Sequence, residues 1–172
     1  MNDWKLDNKS NFLRLGLNSM QQYRIKFILG KITAYVDALR LGKTTVDDLT
    51  SYTQTAVEIE HIMPQTCADK ELYGMNDEDF SVYINRLGNL TLLENSINKS
   101  IHNDVYANKS KAYKQSKFYL TSSLSELVNQ GHDTAINRTN SLLFAWSDWN
   151  KRSIEERQEM LYRLSEMIWE MS

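Results

Sequence analysis

An adjacent carboxylate and imidazole, Glu60-His61, are followed by Ile62-Met63-Pro64-Gln65, which holds the only proline of the sequence. Downstream come Asn89, within Leu87-Gly-Asn-Leu-Thr-Leu92, and then Asn98 and Asn103. Metal-assisted hydrolysis of a phosphodiester needs three kinds of group: a base that takes a proton from water, oxygen donors for a hard cation, and residues that fix both. Histidine titrates nearest neutral pH, so His61 is the candidate base, and Glu60 with the asparagines offers the oxygens. Taken singly, these residues are ordinary. A Glu-His pair at a strand end is commonly a hydrogen-bonded surface pair, an asparagine beside Gly88 marks a turn or bulge, and Asn98 is a polar helix residue. Only their joint spacing makes them candidates.

Local elements must hold these side chains. Ala56-Val-Glu-Ile-Glu-His-Ile62 alternates apolar and polar residues, and Arg86-Leu-Gly-Asn-Leu-Thr-Leu-Leu93 is rich in strand formers, so both are predicted as strands. Strand neighbours point to opposite faces, so Glu60 and His61 diverge unless the strand ends there and the backbone turns, which Pro64 favours. Behind the second strand, Ile97, Ile101 and Val105 recur every four residues and predict a helix over 95–107, reaching toward Lys109. Asn98 and Lys99 then fall in its first turn, where the helix dipole and free amides attract phosphate.

Around this middle the pattern is helical. Tyr23, Phe27, Ile28, Ile32, Tyr35, Val36 and Leu39 mark an amphipathic helix over 20–41, ended near Gly42. Ile154, Leu161, Leu164, Ile168 and Met171 mark a second long helix, with Ser153 and Glu156 as its N-terminal capping box. Shorter helices are expected over 77–86, over 123–129 with a Ser123/Glu126 box, and over 134–145. The four tryptophans are read as core.

The 172 residues suffice for one domain with a sizeable core, divided into an N-terminal helical part (1–55), a central core (56–117) and C-terminal helices (118–172). With 41% hydrophobic and 24% charged residues, wholesale disorder, collagen and coiled coil are excluded. Apolar runs are too short to span a bilayer, and Met1-Asn-Asp-Trp-Lys-Leu-Asp7 lacks the cationic start and apolar stretch of a secretory signal, so a cytoplasmic location without a membrane partner is expected. One cysteine, Cys67, excludes an internal disulfide and a Cys-rich zinc site. A net charge of −2 gives no overall attraction for nucleic acid. A local one exists over 95–117, where Lys99, Lys109, Lys111, Lys114 and Lys117 face a single acid, Asp104; such a run is either a solvated helix face or a phosphate-binding strip.

Glu60-His-Ile-Met-Pro-Gln65, Leu87-Gly-Asn-Leu-Thr-Leu92, Asn98 and Asn103 ahead of Tyr106 and Lys109, and Tyr113-Lys-Gln-Ser116 resemble the C-terminal HNH nuclease domain of GmrSD-type, modification-dependent restriction enzymes. Trp149, Ile154, Arg157, Leu161 and Ile168-Trp169 resemble that family's last helix, and Tyr23-Arg24 with Ile28-Leu29 the helix before its core. The likeness covers most of 20–171 and is strongest over 57–116. It implies an α+β, mostly helical fold in which a ββα-metal (His-Me finger) core is embedded in a helical domain. By the same resemblance His61 is the general base, Glu60 a metal ligand where many members have aspartate, and Asn98 the second ligand. Asn89 ties down the loop that orients His61, and Asn103 is either close to the metal or a loop brace. His102 is either packed behind the site or an exposed helix histidine. The implied cation is Mg²⁺, with Mn²⁺ as substitute, because carboxylate and amide oxygens suit a hard ion. The implied partners are DNA, modified phage DNA in particular, and an N-terminal nucleotide-binding sensor domain or subunit. Lys99, Lys109, Lys111 and Lys114 would grip the DNA backbone without reading sequence. Two competing expectations keep the fold: a catalytically inactive DNA-docking or protein-interaction module, and cleavage of RNA in place of DNA.

Overall fold

A computed structural model of the chain describes residues 9–46 and 48–170, the last without its side chain. In chain order the elements are α1 (Lys9–Phe12), α2 (Gln22–Arg40), α3 (Thr50–Thr53), β1 (Val57–His61), α4 (Asp77–Tyr83), β2 (Leu90–Glu94), α5 (Asn95–Ile101), α6 (Tyr106–Tyr113), α7 (Tyr119–Ser122), α8 (Ala135–Asn140) and α9 (Lys151–Glu170). Single 3₁₀ turns at Lys70–Tyr73 and Leu87–Asn89 flank α4. The chain is thus α+β and mostly helical, around one small antiparallel sheet.

The sheet pairs β1 with β2 from Val57 opposite Glu94 to His61 opposite Leu90. Leu90, Thr91, Leu92 and Leu93 are all buried, so β2 is covered on both faces, with α2 and α7 packed against it. The polar member of this run is satisfied in place: the Thr91 hydroxyl lies 2.7 Å from that of Thr121, whose own hydroxyl donates to the Leu92 carbonyl at 2.7 Å. β1 departs from simple alternation, because its polar face is no solvent face. Glu60 is buried and Glu58 half-buried, since Lys109 and Tyr113 of α6 close over Glu60, and α5, which leaves β2 directly, covers Glu58.

α2 fills the 20–41 expectation closely, burying Ile25, Ile28, Leu29, Ile32 and Val36, although Tyr23 and Phe27 of the same stripe are exposed. α9 buries Ile154, Leu161 and Leu164, while Met171 lies outside the described residues. Its cap sits three residues earlier than the sequence suggests: Asn150 Oδ1 accepts from Ser153 N at 3.2 Å and Ser153 Oγ accepts from Asn150 N at 3.2 Å. Glu156 accepts instead from Trp146 Nε1 at 2.9 Å and Arg152 Nε at 2.7 Å. Trp146 and Trp149 are core, Trp169 is half-buried, and Trp4 lies outside the described residues. Among the described residues, no helix is long and apolar enough to cross a membrane.

Other expectations are corrected. The predicted helix over 95–107 is two helices: α5 ends at Ile101, His102 turns to φ 45°, and α6 starts at Tyr106. Asp104 breaks the run by accepting from Val105 N at 2.7 Å and Asn108 Nδ2 at 3.1 Å, the competition of a short polar side chain with the helix ladder. The second strand begins at Leu90 because Leu87–Asn89 forms a 3₁₀ turn. No helix forms over 123–129, because Ser123 Oγ bonds back to the Tyr119 carbonyl at 2.5 Å and closes α7. α4 and α8 are shorter than predicted, capped by Asn76 and Thr134.

The 3₁₀ turn ahead of β2 presses on α9 so tightly that only glycine fits at its centre. A Cβ on Gly88 would stand 2.2 Å from the Ile154 carbonyl oxygen. Gly88 N donates to Gln158 Oε1, and the fully buried Arg157 donates from Nη1 to the carbonyls of Gly88 at 2.9 Å and Leu90 at 2.6 Å. We expect Gly88→Ala to destabilise the fold by about 1–3 kcal/mol through overpacking against α9. Urea unfolding checks this, and an unchanged midpoint would show that the contact yields freely.

Candidate active site

A cleft of about 720 Å³ opens beside the end of β1. Glu58, Glu60 and His61 of β1 line it, with Gln65 of the next loop, Asn98 and Lys99 of α5, and His102, Asn103 and Lys109. Seven of the residues selected by spacing therefore share one cavity. Asn89, Lys111 and Lys114 are not among its lining residues.

His61 ends the strand with its ring largely buried, 9% exposed. Its Nε2 lies 3.2 Å from Asn85 Oδ1 and 3.4 Å from Gln65 Nε2. Burial depresses its pKa below the ordinary 6.5; the Asn85 hydrogen bond and the Glu60 charge oppose this, while the Lys109 charge adds to it. The imidazole is neutral at pH 7, the form that accepts a proton.

Glu60 points to the other face of β1, as adjacent strand residues must. Its Oε1 accepts from Lys109 Nζ at 2.7 Å and Tyr113 OH at 2.9 Å. Both side chains of the ion pair are buried, at 2% and 8% exposure for Lys109 and Glu60. The same ammonium donates to the His61 carbonyl at 2.7 Å, so one cation binds the carboxylate and the backbone of the neighbouring imidazole. Burial and the Glu60 charge push the Tyr113 hydroxyl well above its ordinary value, so it is a donor at every physiological pH. This corrects the expectation that Lys109 contacts DNA: its position on α6 turns it inward between Tyr106 and Tyr113.

Asn98 donates from Nδ2 to Glu58 Oε2 at 2.6 Å, and Asn95 Nδ2 donates to Glu58 Oε1 at 2.8 Å. An ionised carboxylate only accepts, so this contact fixes the amide of Asn98 and leaves its Oδ1 as the oxygen turned away from Glu58. Sequence reasoning missed Glu58, although the alternation Val57-Glu-Ile-Glu already placed it on the face of Glu60. It also missed Asn85, which carries no local signal beyond preceding Arg86-Leu-Gly-Asn89.

Asn89 lies behind the cleft, fully buried. Its Oδ1 accepts from Met63 N at 2.8 Å and Trp149 Nε1 at 2.9 Å, and its Nδ2 donates to the Ile84 carbonyl at 2.9 Å. It thereby ties the backbone just after His61 to Trp149, ahead of α9, and to Ile84, just past α4, and is not among the residues that line the cleft. Asn103 braces the same loop further along, donating to Thr66 O at 2.8 Å and Thr66 Oγ1 at 2.6 Å. His102 is exposed at the end of α5. Lys99 is exposed at the rim but belongs to a seven-residue helix whose last turn it occupies, so the first-turn dipole argument does not hold for it. Lys111 is exposed on α6, and Lys114 is an exposed partner of Glu126 at 2.8 Å.

The oxygens gathered here, from Glu58, Glu60 and Asn98, are of the kind a hard cation takes. Among the described residues no three His, Cys, Asp or Glu side chains form a group able to hold a metal. Mg²⁺ keeps several waters and needs only one or two carboxylates; the Glu60 carboxylate and the Asn98 amide oxygen, both lining the cleft, are donors of the class it takes. The family model described as GmrSD restriction endonucleases, C-terminal domain, matches residues 3–164. No curated protein and no solved structure matches the chain.

Proposed function

The chain belongs to the family of GmrSD restriction endonuclease C-terminal domains, and from that premise we propose that it is a metal-dependent HNH nuclease hydrolysing DNA phosphodiester bonds, with Mg²⁺ or, in its place, Mn²⁺. The observation that supports this reading is a single cleft lined by a buried neutral imidazole, two carboxylates of one strand face and an oriented amide. Recognition of modified phage DNA, and the nucleotide sensing that licenses cutting, belong in this proposal to a separate N-terminal domain or subunit acting in the cytoplasm.

His61 takes the proton of the attacking water. Glu60 and Asn98 would hold the cation, which when bound stabilises charge on the phosphate and the leaving oxygen. Glu58 keeps the Asn98 amide turned the right way, and Lys109 fixes Glu60 and the His61 backbone together. Asn89 holds the following loop in place as a positioning residue. Lys99 at the rim, and Lys111 and Lys114 on or beside α6, supply phosphate contacts whose strength falls with salt.

One observation favours the competing reading of a DNA-docking module without turnover: the Glu60 charge is already balanced by an ammonium. Calorimetric titration with Mg²⁺ and Mn²⁺ separates the two. The nuclease reading expects binding heat in the wild type that disappears in Asn98→Ala, together with plasmid nicking that stops on chelation. DNA binding with neither heat nor nicking would establish the docking module, and nicking of RNA alone would replace the substrate.

A further inference from the structure

We propose that Asn85, itself held by Asn18, is a positioning residue that locks His61 in the tautomer protonated on Nε2, so that Nδ1 is the nitrogen able to take a proton; this rests on His61 being the base proposed above. The backbone carbonyl of Ser81 can only accept, and Asn18 Nδ2 lies 3.3 Å from it. That contact turns the Asn18 oxygen toward Asn85, whose Nδ2 donates to it at 2.8 Å. The remaining atom of the Asn85 amide, Oδ1, then faces His61 Nε2 at 3.2 Å. An amide oxygen accepts, so Nε2 must carry the hydrogen. The terminal amide of the exposed Gln65, 3.4 Å from the same nitrogen, has no such anchor and accommodates this tautomer by turning over.

The two asparagines are held in register by the backbone beneath them. Leu17 N donates to the Asn85 carbonyl at 2.8 Å and Leu87 N to the Leu15 carbonyl at 2.8 Å, on either side of an isolated antiparallel bridge between Gly16 and Arg86. A Cβ on Gly16 would stand 2.1 Å from the Asn85 carbonyl oxygen, so the segments meet as closely as backbones can. The relay therefore starts from rigid ground. A neutral imidazole has two tautomers and a ring that can turn over, and a base is useful only when one nitrogen is reliably unprotonated and aimed.

Nitrogen NMR of the metal-free chain, labelled in its histidine rings and kept well above the ordinary imidazole pKa, reads the tautomer directly. His61 is assigned against His102 and His132 by its absence in His61→Gln. The expected result is a pyrrole-type Nε2 and a pyridine-type Nδ1 in the wild type, a mixture in Asn85→Ala, and recovery of the single tautomer in Asn85→Asp, which keeps an accepting oxygen. Nicking by Asn85→Ala is expected to fall about 10-fold in kcat with KM nearly unchanged, the scale of one lost orienting hydrogen bond. Should Asn85→Ala fail to fold, Asn18→Ala takes its place, and it too must mix the tautomers. A pyridine-type Nε2 in the wild type, or an unmixed tautomer in the folded variant, overturns the proposal. The tautomer reading stands apart from the nuclease reading, which fails if His61→Gln still nicks DNA whatever the spectrum shows.

Discussion

Replacing His61 with alanine is expected to lower DNA nicking by about 10²–10⁴-fold, the contribution of a positioned acid–base group, while the urea midpoint moves little. The side chain's polar contacts are to Asn85 at 3.2 Å and to the exposed amide of Gln65 at 3.4 Å, so its structural share is about 1 kcal/mol. The pH profile sharpens the test. Activity requires the neutral ring, and burial pulls the His61 pKa below the ordinary 6.5, so kcat/KM is expected to hold flat on lowering the pH through 6.5 and to fall only further down. Stability follows the same sign. Between the folded and unfolded pKa values the unfolded chain binds more protons, so the His61 contribution is complete above 6.5 and is lost as the pH drops through the folded value. His61→Ala removes that segment of the pH–stability curve. Nicking that survives the substitution would remove His61 from the chemistry, and an acid limb centred above 6.5 would show that its ring is not desolvated in the working protein.

What the sequence allows to be read, and what it hides, divides at the reach of a side chain. The alternation of Val57-Glu-Ile-Glu-His61 and the Leu-rich run after Asn89 are local patterns, and both yielded strands. Asn89 beside Gly88 signals locally only a turn or bulge, which the 3₁₀ turn over 87–89 bears out; its tie to the loop after His61 was implied by the family resemblance alone and is seen in the bond from Met63 N. The inward turn of Lys109 was legible only in part. Tyr106, Lys109 and Tyr113 sit at i, i+3 and i+7, a helical stripe that is buried throughout, while Lys111 and Lys114 fall off that stripe and are exposed. Counted as one of five lysines, Lys109 looked like surface; counted by angle, it belongs to the core. The break at His102 has no such trace. It depends on Asn103 reaching Thr66, a residue in the excursion between the strands, and on Asp104 capping its own neighbour. A contact across that distance is invisible to any short window of sequence, as is the Ser81–Asn18–Asn85 chain of amides.

Lys109→Met carries the largest expected cost in stability, about 3–5 kcal/mol, because it strands the Glu60 carboxylate in a buried site without its ammonium. The substituted side chain also withdraws the donor to the His61 carbonyl, so the strand end loosens where the base is attached. If Lys109 were instead a phosphate contact, the same substitution would leave the urea midpoint unchanged and reduce the salt slope of DNA binding by about one unit. The two outcomes exclude each other. A second substitution resolves what the pair is for: Glu60→Gln in the Lys109→Met background removes both charges and keeps a group that can accept from Tyr113. Stability is then expected to recover most of the loss, because the penalty lies in the unpaired charge and not in the missing attraction. Nicking is expected to stay absent, because the carboxylate proposed to hold the cation is gone. Recovery of stability without recovery of cutting would mean that the chain keeps a buried ion pair, costly to desolvate, for the sake of the cleft; recovery of both would assign Glu60 to the fold alone and shift the cation to Glu58.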